Sequence, residues 1–175
     1  MSHIHDHAPS DDAMPLALLG LDDFETGLLA VLRHFLTAFT RPETQAWQTA
    51  FAIAAERWGE TQGPQIAAGG LALLQVLRRA RRRAFNYANP MCMGCREQVT
   101  GDEAQLMRML RAMRRDRADL ARPEVLTLTE GTMDPALIRT GLSFAARHPA
   151  EEADPALPMA DRPSARGRGH LRLVH

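Results

Sequence analysis

Lysine is absent from all 175 residues, so the 21 side chains that carry a permanent positive charge are all arginine. This absence fits a genome that favours arginine codons. It also makes every basic site a guanidinium site, suited to bidentate pairing with phosphate or carboxylate. Aromatic residues are scarce at 5 %. The core must then be built from leucine, alanine and methionine, which prefer helices. There are only two cysteines, too few for a disulfide framework and short of the four that an iron-sulfur cluster normally takes. The apolar stretches are short. Even Ile66 to Leu77 is interrupted by Gly69 and Gly70 and runs into Arg78, which excludes a membrane-spanning helix of about 20 apolar residues.

Catalytic signatures are missing as well. Glu25, Glu56, Glu60 and Glu130 form no paired motif, and the histidines lack the spacing of zinc hydrolases. No glycine-rich phosphate loop, nucleophile elbow or dinucleotide fingerprint occurs. The start, with His3, His5, His7, Asp11 and Asp12, is the opposite of a positively charged signal-peptide region, and the expected location is the cytoplasm.

What is present is helical period. Phe24, Leu28, Val31, Leu32, Phe35 and Phe39 recur at three- and four-residue steps, predicting a helix from about Asp22 to Thr40. Pro42 suits the first turn of a second helix, whose inner face is Trp47, Ala50, Phe51, Ala54 and Trp58 and whose end is Gly59. Gly63-Pro64 restarts the pattern, and a third helix with Ile66, Gly70, Leu73, Leu74 and Leu77 is expected to reach Phe85. Thr100 and Glu103 have capping-box spacing, so a fourth helix begins there and places Leu106, Met109, Leu110 and Met113 on one side. Asp134 and Pro135 are an N-cap and first helical residue for a fifth, with Leu137, Ile138, Leu142 and Ala145 inward.

The expected architecture is all-α: a compact bundle of about five helices in one domain over residues 21–148. A flexible arm over 1–20 precedes it, and a proline-rich disordered tail over 149–175 follows.

Charge is unevenly spread beneath a net value of zero. Between Arg78 and Arg122 lie twelve arginines and five acids, whereas the first 77 residues hold three arginines and nine acids. A basic middle behind an acidic front points to a polyanion or an acidic partner surface. On the helical period, Arg78, Arg79, Arg82 and Arg83 fan away from the leucines of the third helix, and Arg108, Arg111 and Arg115 away from those of the fourth. If those helices form a hairpin, the two faces merge into one surface for an acidic protein or for nucleic acid. Phe85 and Tyr87, following the arginine tract, are placed to stack on bases. A solvated face paired with the acids of the front segment explains the same charges.

Inside the basic block lies the only cysteine pair, Cys92-Met93-Gly94-Cys95. A Cys-x-x-Cys turn serves structural zinc or dithiol redox chemistry, and in a reducing compartment it also occurs as two inert thiols. Zinc needs two more ligands, for which His34 and His148 are the candidates outside the terminal segments. Flanking arginines favour the thiolate that either chemistry uses. Three functional expectations follow. The first is a regulatory or adaptor protein gripping an acidic partner through the arginine hairpin. The second is a nucleic-acid-binding transcriptional regulator, zinc-dependent if the cysteines hold metal. The third is a thiol-based redox protein.

Overall fold

The computed structural model describes residues 12–150. Within them the chain forms five α-helices: α1 (Asp23–Thr40), α2 (Ala46–Ala80), α3 (Gly101–Arg114), α4 (Ala118–Leu128) and α5 (Pro135–Arg147). A single two-stranded antiparallel ladder joins β1 (Met14–Pro15) to β2 (Gln98–Val99), pairing Met14 with Val99. The all-α bundle expected from composition is therefore the fold, and none of the described helices is long and apolar enough to cross a membrane.

Helix α1 is the central element. Asp22 caps it by accepting from the Glu25 amide at 2.7 Å, while Glu25 reaches back to the Asp22 amide at 3.0 Å. Leu28, Val31, Leu32 and Phe35 are buried along it, and α1 packs against both α2 and α3. Helix α5 contacts α2 and α3, and α4 lies on α3. The core is built largely of leucine, alanine and methionine, with Phe35 and Phe144 the only fully buried aromatic rings.

Helix α2 contains the break anticipated at Gly59, whose backbone (φ 79°, ψ 163°) leaves the helical region for one that glycine alone adopts freely. After it the chain turns so tightly that Gly63 lies against the backbone of Ala54. Gly69 and Gly70 make close helix contacts. A Cβ on Gly69 would meet the Phe144 ring at 2.8 Å, and one on Gly70 would meet Leu32 at 3.0 Å.

Several local expectations need correction. The third sequence segment stops at Ala80 rather than Phe85, because Arg81 takes an extended backbone and its guanidinium turns inward. Pro42 opens a short 3-10 turn, Pro42–Thr44, and α2 starts only at Ala46. Trp47, on that first turn, is 49 % exposed and makes only an edge contact with Phe51, whereas Trp58 packs on Phe24. Leu142 also faces outward, leaving Gly141 and Phe144 to fill the inner face of α5.

Helix α4 was not anticipated. It carries Pro123 in its interior, which suppressed the helical signal of Ala121, Val125 and Leu128.

The described part of the lead-in, from Asp12, is docked on the bundle, since β1 pairs with β2 and Leu19 is buried. The Asp12 carboxylate accepts from the Gly101 amide at 3.1 Å, and the Leu19 carbonyl accepts from Arg111 at 2.6 Å. At the other end, Ala150 donates to the Arg114 carbonyl at 3.1 Å. The remaining parts of the expected arm and tail, with His3, His5 and His7, lie outside the described residues.

Adding a methyl at Gly63 tests the packing across the break, because the neighbour it strikes is rigid backbone. Gly63→Ala should lower stability by about 1–3 kcal/mol, the usual cost of overpacking, whereas Ala substitutions at exposed α2 positions such as Gln65 should be neutral. Urea denaturation of the purified variants measures both.

Candidate functional site: a cysteine-bearing cleft above a buried ion pair

Between α2 and α3 the chain runs as an irregular loop, residues 81–100, and the Cys-x-x-Cys turn sits at its middle. The support of this loop is buried. Arg33 of α1 forks onto Glu103 of α3, with Nε donating to Oε1 at 2.7 Å and Nη2 to Oε2 at 2.9 Å. The same guanidinium donates to the carbonyls of Arg96 (3.1 Å) and Gln98 (2.5 Å), which hold the descending arm. Glu103 accepts from the Ala88 amide at 3.1 Å, which holds the ascending arm, and from the Thr100 amide at 3.0 Å. Thr100 completes the expected capping box, its hydroxyl facing the Glu103 amide at 3.2 Å and donating to the Asn86 carbonyl at 2.8 Å. Beside it Asp102 accepts from Arg81 at 2.9 Å and from the Asn86 amide at 2.8 Å. Both arms of the loop are thereby tied to the first turn of α3.

The loop presents the two cysteines as a disulfide, with a Cα separation of 5.2 Å. Its turn is closed by the Cys92 amide donating to the Asn89 carbonyl (3.2 Å) and the Arg96 amide donating to the Cys92 carbonyl (3.1 Å). The Cys95 amide points at the Cys92 sulfur, 3.3 Å away. Both cysteines are half-buried and line a cleft of about 770 Å³. Phe85, Tyr87 and Val99 supply apolar lining, and Thr40 and Arg41 at the end of α1 line it as well. The Tyr87 hydroxyl meets the Thr40 hydroxyl at 2.7 Å.

The histidines named as zinc candidates are not brought to the cysteines. Among the described residues, no group of three or more His, Cys, Asp or Glu side chains gathers in a metal-binding arrangement. His34 is buried within α1, and this burial lowers its pKa below the usual histidine value. His148 follows α5 as its C-cap, stacks on Phe24 (5.3 Å) and lies tilted against Phe144 (4.8 Å), and it does not line the cleft. Burial, then the positive charges of Arg147 and Arg114, lowers its pKa too.

The arginines named for partner binding divide. Arg115 is held by the fully buried Glu25 (2.6 Å) and by Asp22 (3.3 Å). Arg111 is spent on the Leu19 carbonyl, and Arg83 pairs with Glu130 at 3.4 Å. Arg78 lies over the Phe39 ring at 4.3 Å, while Arg79, Arg82 and Arg108 are exposed. Helices α2 and α3 are linked mainly through α1 and α5 rather than packed as a hairpin, so the two arginine rows do not merge as expected. Phe85 is covered on one face by Arg81, and it and Tyr87 belong to the cleft. Sequence reasoning missed Arg33, Glu103 as its partner, and Arg41. The one available signal was an arginine on the buried stripe of α1, between Leu32 and Phe35.

The pKa of Asp22 is lowered from the usual carboxylate value. Burial pushes its pKa up, but the Glu25 amide and the guanidinium groups of Arg114 and Arg115 outweigh that.

Three measurements check this account. Glu103→Ala leaves Arg33 buried without its anion, so stability should fall by about 3–5 kcal/mol in denaturant melts. Arg115→Glu sets a carboxylate against Glu25 and should lower the melting temperature clearly, while Arg82→Glu should not change it. Because burial lowers the pKa of His34 and His148, the unfolded chain protonates first as pH falls below about 6.5. Stability is then complete above that pH and declines towards pH 5, and the double variant His34→Gln, His148→Gln should flatten this decline. Among family models, curated proteins and solved structures none matches this chain, so the functional reading rests on this arrangement of residues.

Proposed function

We propose that the protein is a thiol-based redox protein in which Cys92 and Cys95 cycle between a disulfide and a dithiol on the wall of the cleft. The observation that carries this reading is the pairing of the two sulfurs at a surface where a substrate can reach both. A purely structural role fits poorly. The bond spans a sequence separation of 3, and closing so short a loop restricts the unfolded chain by only about 2 kcal/mol. The loop is already fastened by Arg33 and Glu103, so reduction need not dismantle it.

Cys92 is the nucleophile in this reading. The Cys95 amide that donates to its sulfur favours a thiolate at that position. Cys95 is the resolving thiol. In the cytoplasm the dithiol would be the resting form, and oxidation would make the protein a redox-responsive regulator. The acidic-partner and nucleic-acid readings draw less support, because Arg111 and Arg115 point into the molecule's own acids and carbonyls.

The test is equilibration in dithiothreitol redox buffers, followed by alkylation and mass analysis of the free thiols. A reversible two-electron couple between about −120 and −270 mV, the span of dithiol oxidoreductases, is expected, with a helical spectrum unchanged across it. In Cys95→Ser, Cys92 should accumulate a mixed disulfide. A pair that is reduced only after denaturation would overturn the reading.

A further inference from the structure

We infer that the cleft beside the cysteines is a binding site for a small anionic thiol compound of about tripeptide size, with which Cys92 exchanges. This rests on the redox reading and names its substrate class. Three observations lead there. The first is size: about 770 Å³ lies in the range of pockets that enclose a drug-sized molecule, well above what a single half-buried thiol needs. The second is charge. No carboxylate lines the cleft, and its one charged group, Arg41, forms no ion pair among the described residues. Its guanidinium is therefore free to pair with a carboxylate that enters the cleft. The third is direction. Cys92, Gly94 and Cys95 belong to the cleft wall, whereas Met91 and Met93 stand outside it, 75 % and 76 % exposed.

The remaining lining suits the backbone of such a compound. Phe85, Tyr87 and Val99 offer apolar lining, and the side-chain amides of Asn86, Asn89 and Gln98 offer polar groups. The exchange balances without a further reagent. The Cys92 thiolate attacks one sulfur of the bound disulfide, forms a protein mixed disulfide and expels one small thiolate. The Cys95 thiolate then attacks the Cys92 sulfur, closes the Cys92–Cys95 bond and expels the second. Two electrons pass from the protein dithiol to the small disulfide, and the two cysteine protons end on the released thiols.

Full-length reduced protein, mixed with oxidised glutathione (anionic) or with cystamine (cationic), separates the possibilities by the rate of thiol loss. The expected result is saturable oxidation by glutathione disulfide, about tenfold faster than by cystamine, with Arg41→Gln removing most of that preference. Arg139→Gln, an exposed cation on α5, should leave it unchanged. Saturation should also protect Cys92 from iodoacetamide when the non-reactive analogue S-methylglutathione is added. Equal, non-saturating rates for the two disulfides would overturn the inference, as would a preference insensitive to Arg41→Gln. Faster oxidation by a disulfide-bearing protein such as scrambled ribonuclease would overturn it in favour of a polypeptide substrate. Failure of the redox reading itself looks different: a native disulfide that no thiol reduces, and no reaction with either probe once it is opened.

Discussion

The contact between Arg33 and Glu103 is the one on which the rest of this structure depends. Two charges taken out of water are stabilising only if their hydrogen-bonding capacity is nearly filled. Here both carboxylate oxygens of Glu103 accept two donors each, and Arg33 spends the remainder of its fork on the Arg96 and Gln98 carbonyls. The pair ties α1 to α3 and both to the loop that carries the cysteines. A loop whose backbone groups are answered from below can hold an irregular path with little regular structure beyond the short β2 pairing.

The same solution recurs at the other end of α3. Glu25 has no exposure, and Arg114 and Arg115 both reach it while also pairing with Asp22. Arg114 also covers the Phe24 ring at 4.4 Å and donates to the His148 carbonyl at 2.8 Å. Two acids of the front, Asp22 and Glu25, are thus matched to arginines of the basic middle.

These anchors bear on the chemistry. A dithiol that opens and closes needs its two sulfurs to stay within reach of one another whether or not they are bonded. In the proposed dithiol cycle, the short turn from Asn89 to Arg96 and the clamp that holds the loop would supply that constancy, and the cleft would supply access. Arg81 shows the cost of building at this density. Its Nε and Nη1 are buried without a hydrogen-bond partner among the described residues, and the Phe85 ring beside them offers only a π face.

Much of the fold was legible in the sequence because it rests on local signals. The apolar stripe of α1, the break at Gly59, the Thr100–Glu103 capping box and the Asp134–Pro135 start of α5 each follow from residues within a turn or two of one another. The end of α2 and the existence of α4 were not legible. Arg81 leaves the helix for a carboxylate 21 positions away, and α4 forms despite Pro123 because α3 buries its Ala121, Val125 and Leu128. Of the site, the sequence determined the cysteine turn and the supply of arginines around it. Tertiary structure alone decided which arginines turn inward, which pair beneath the loop, and that Arg41 and the disulfide line one cleft. The physical reason is that a guanidinium has no local preference for solvent over a carboxylate. Its partner is chosen by the burial that distant segments impose, and no spacing along the chain records that choice.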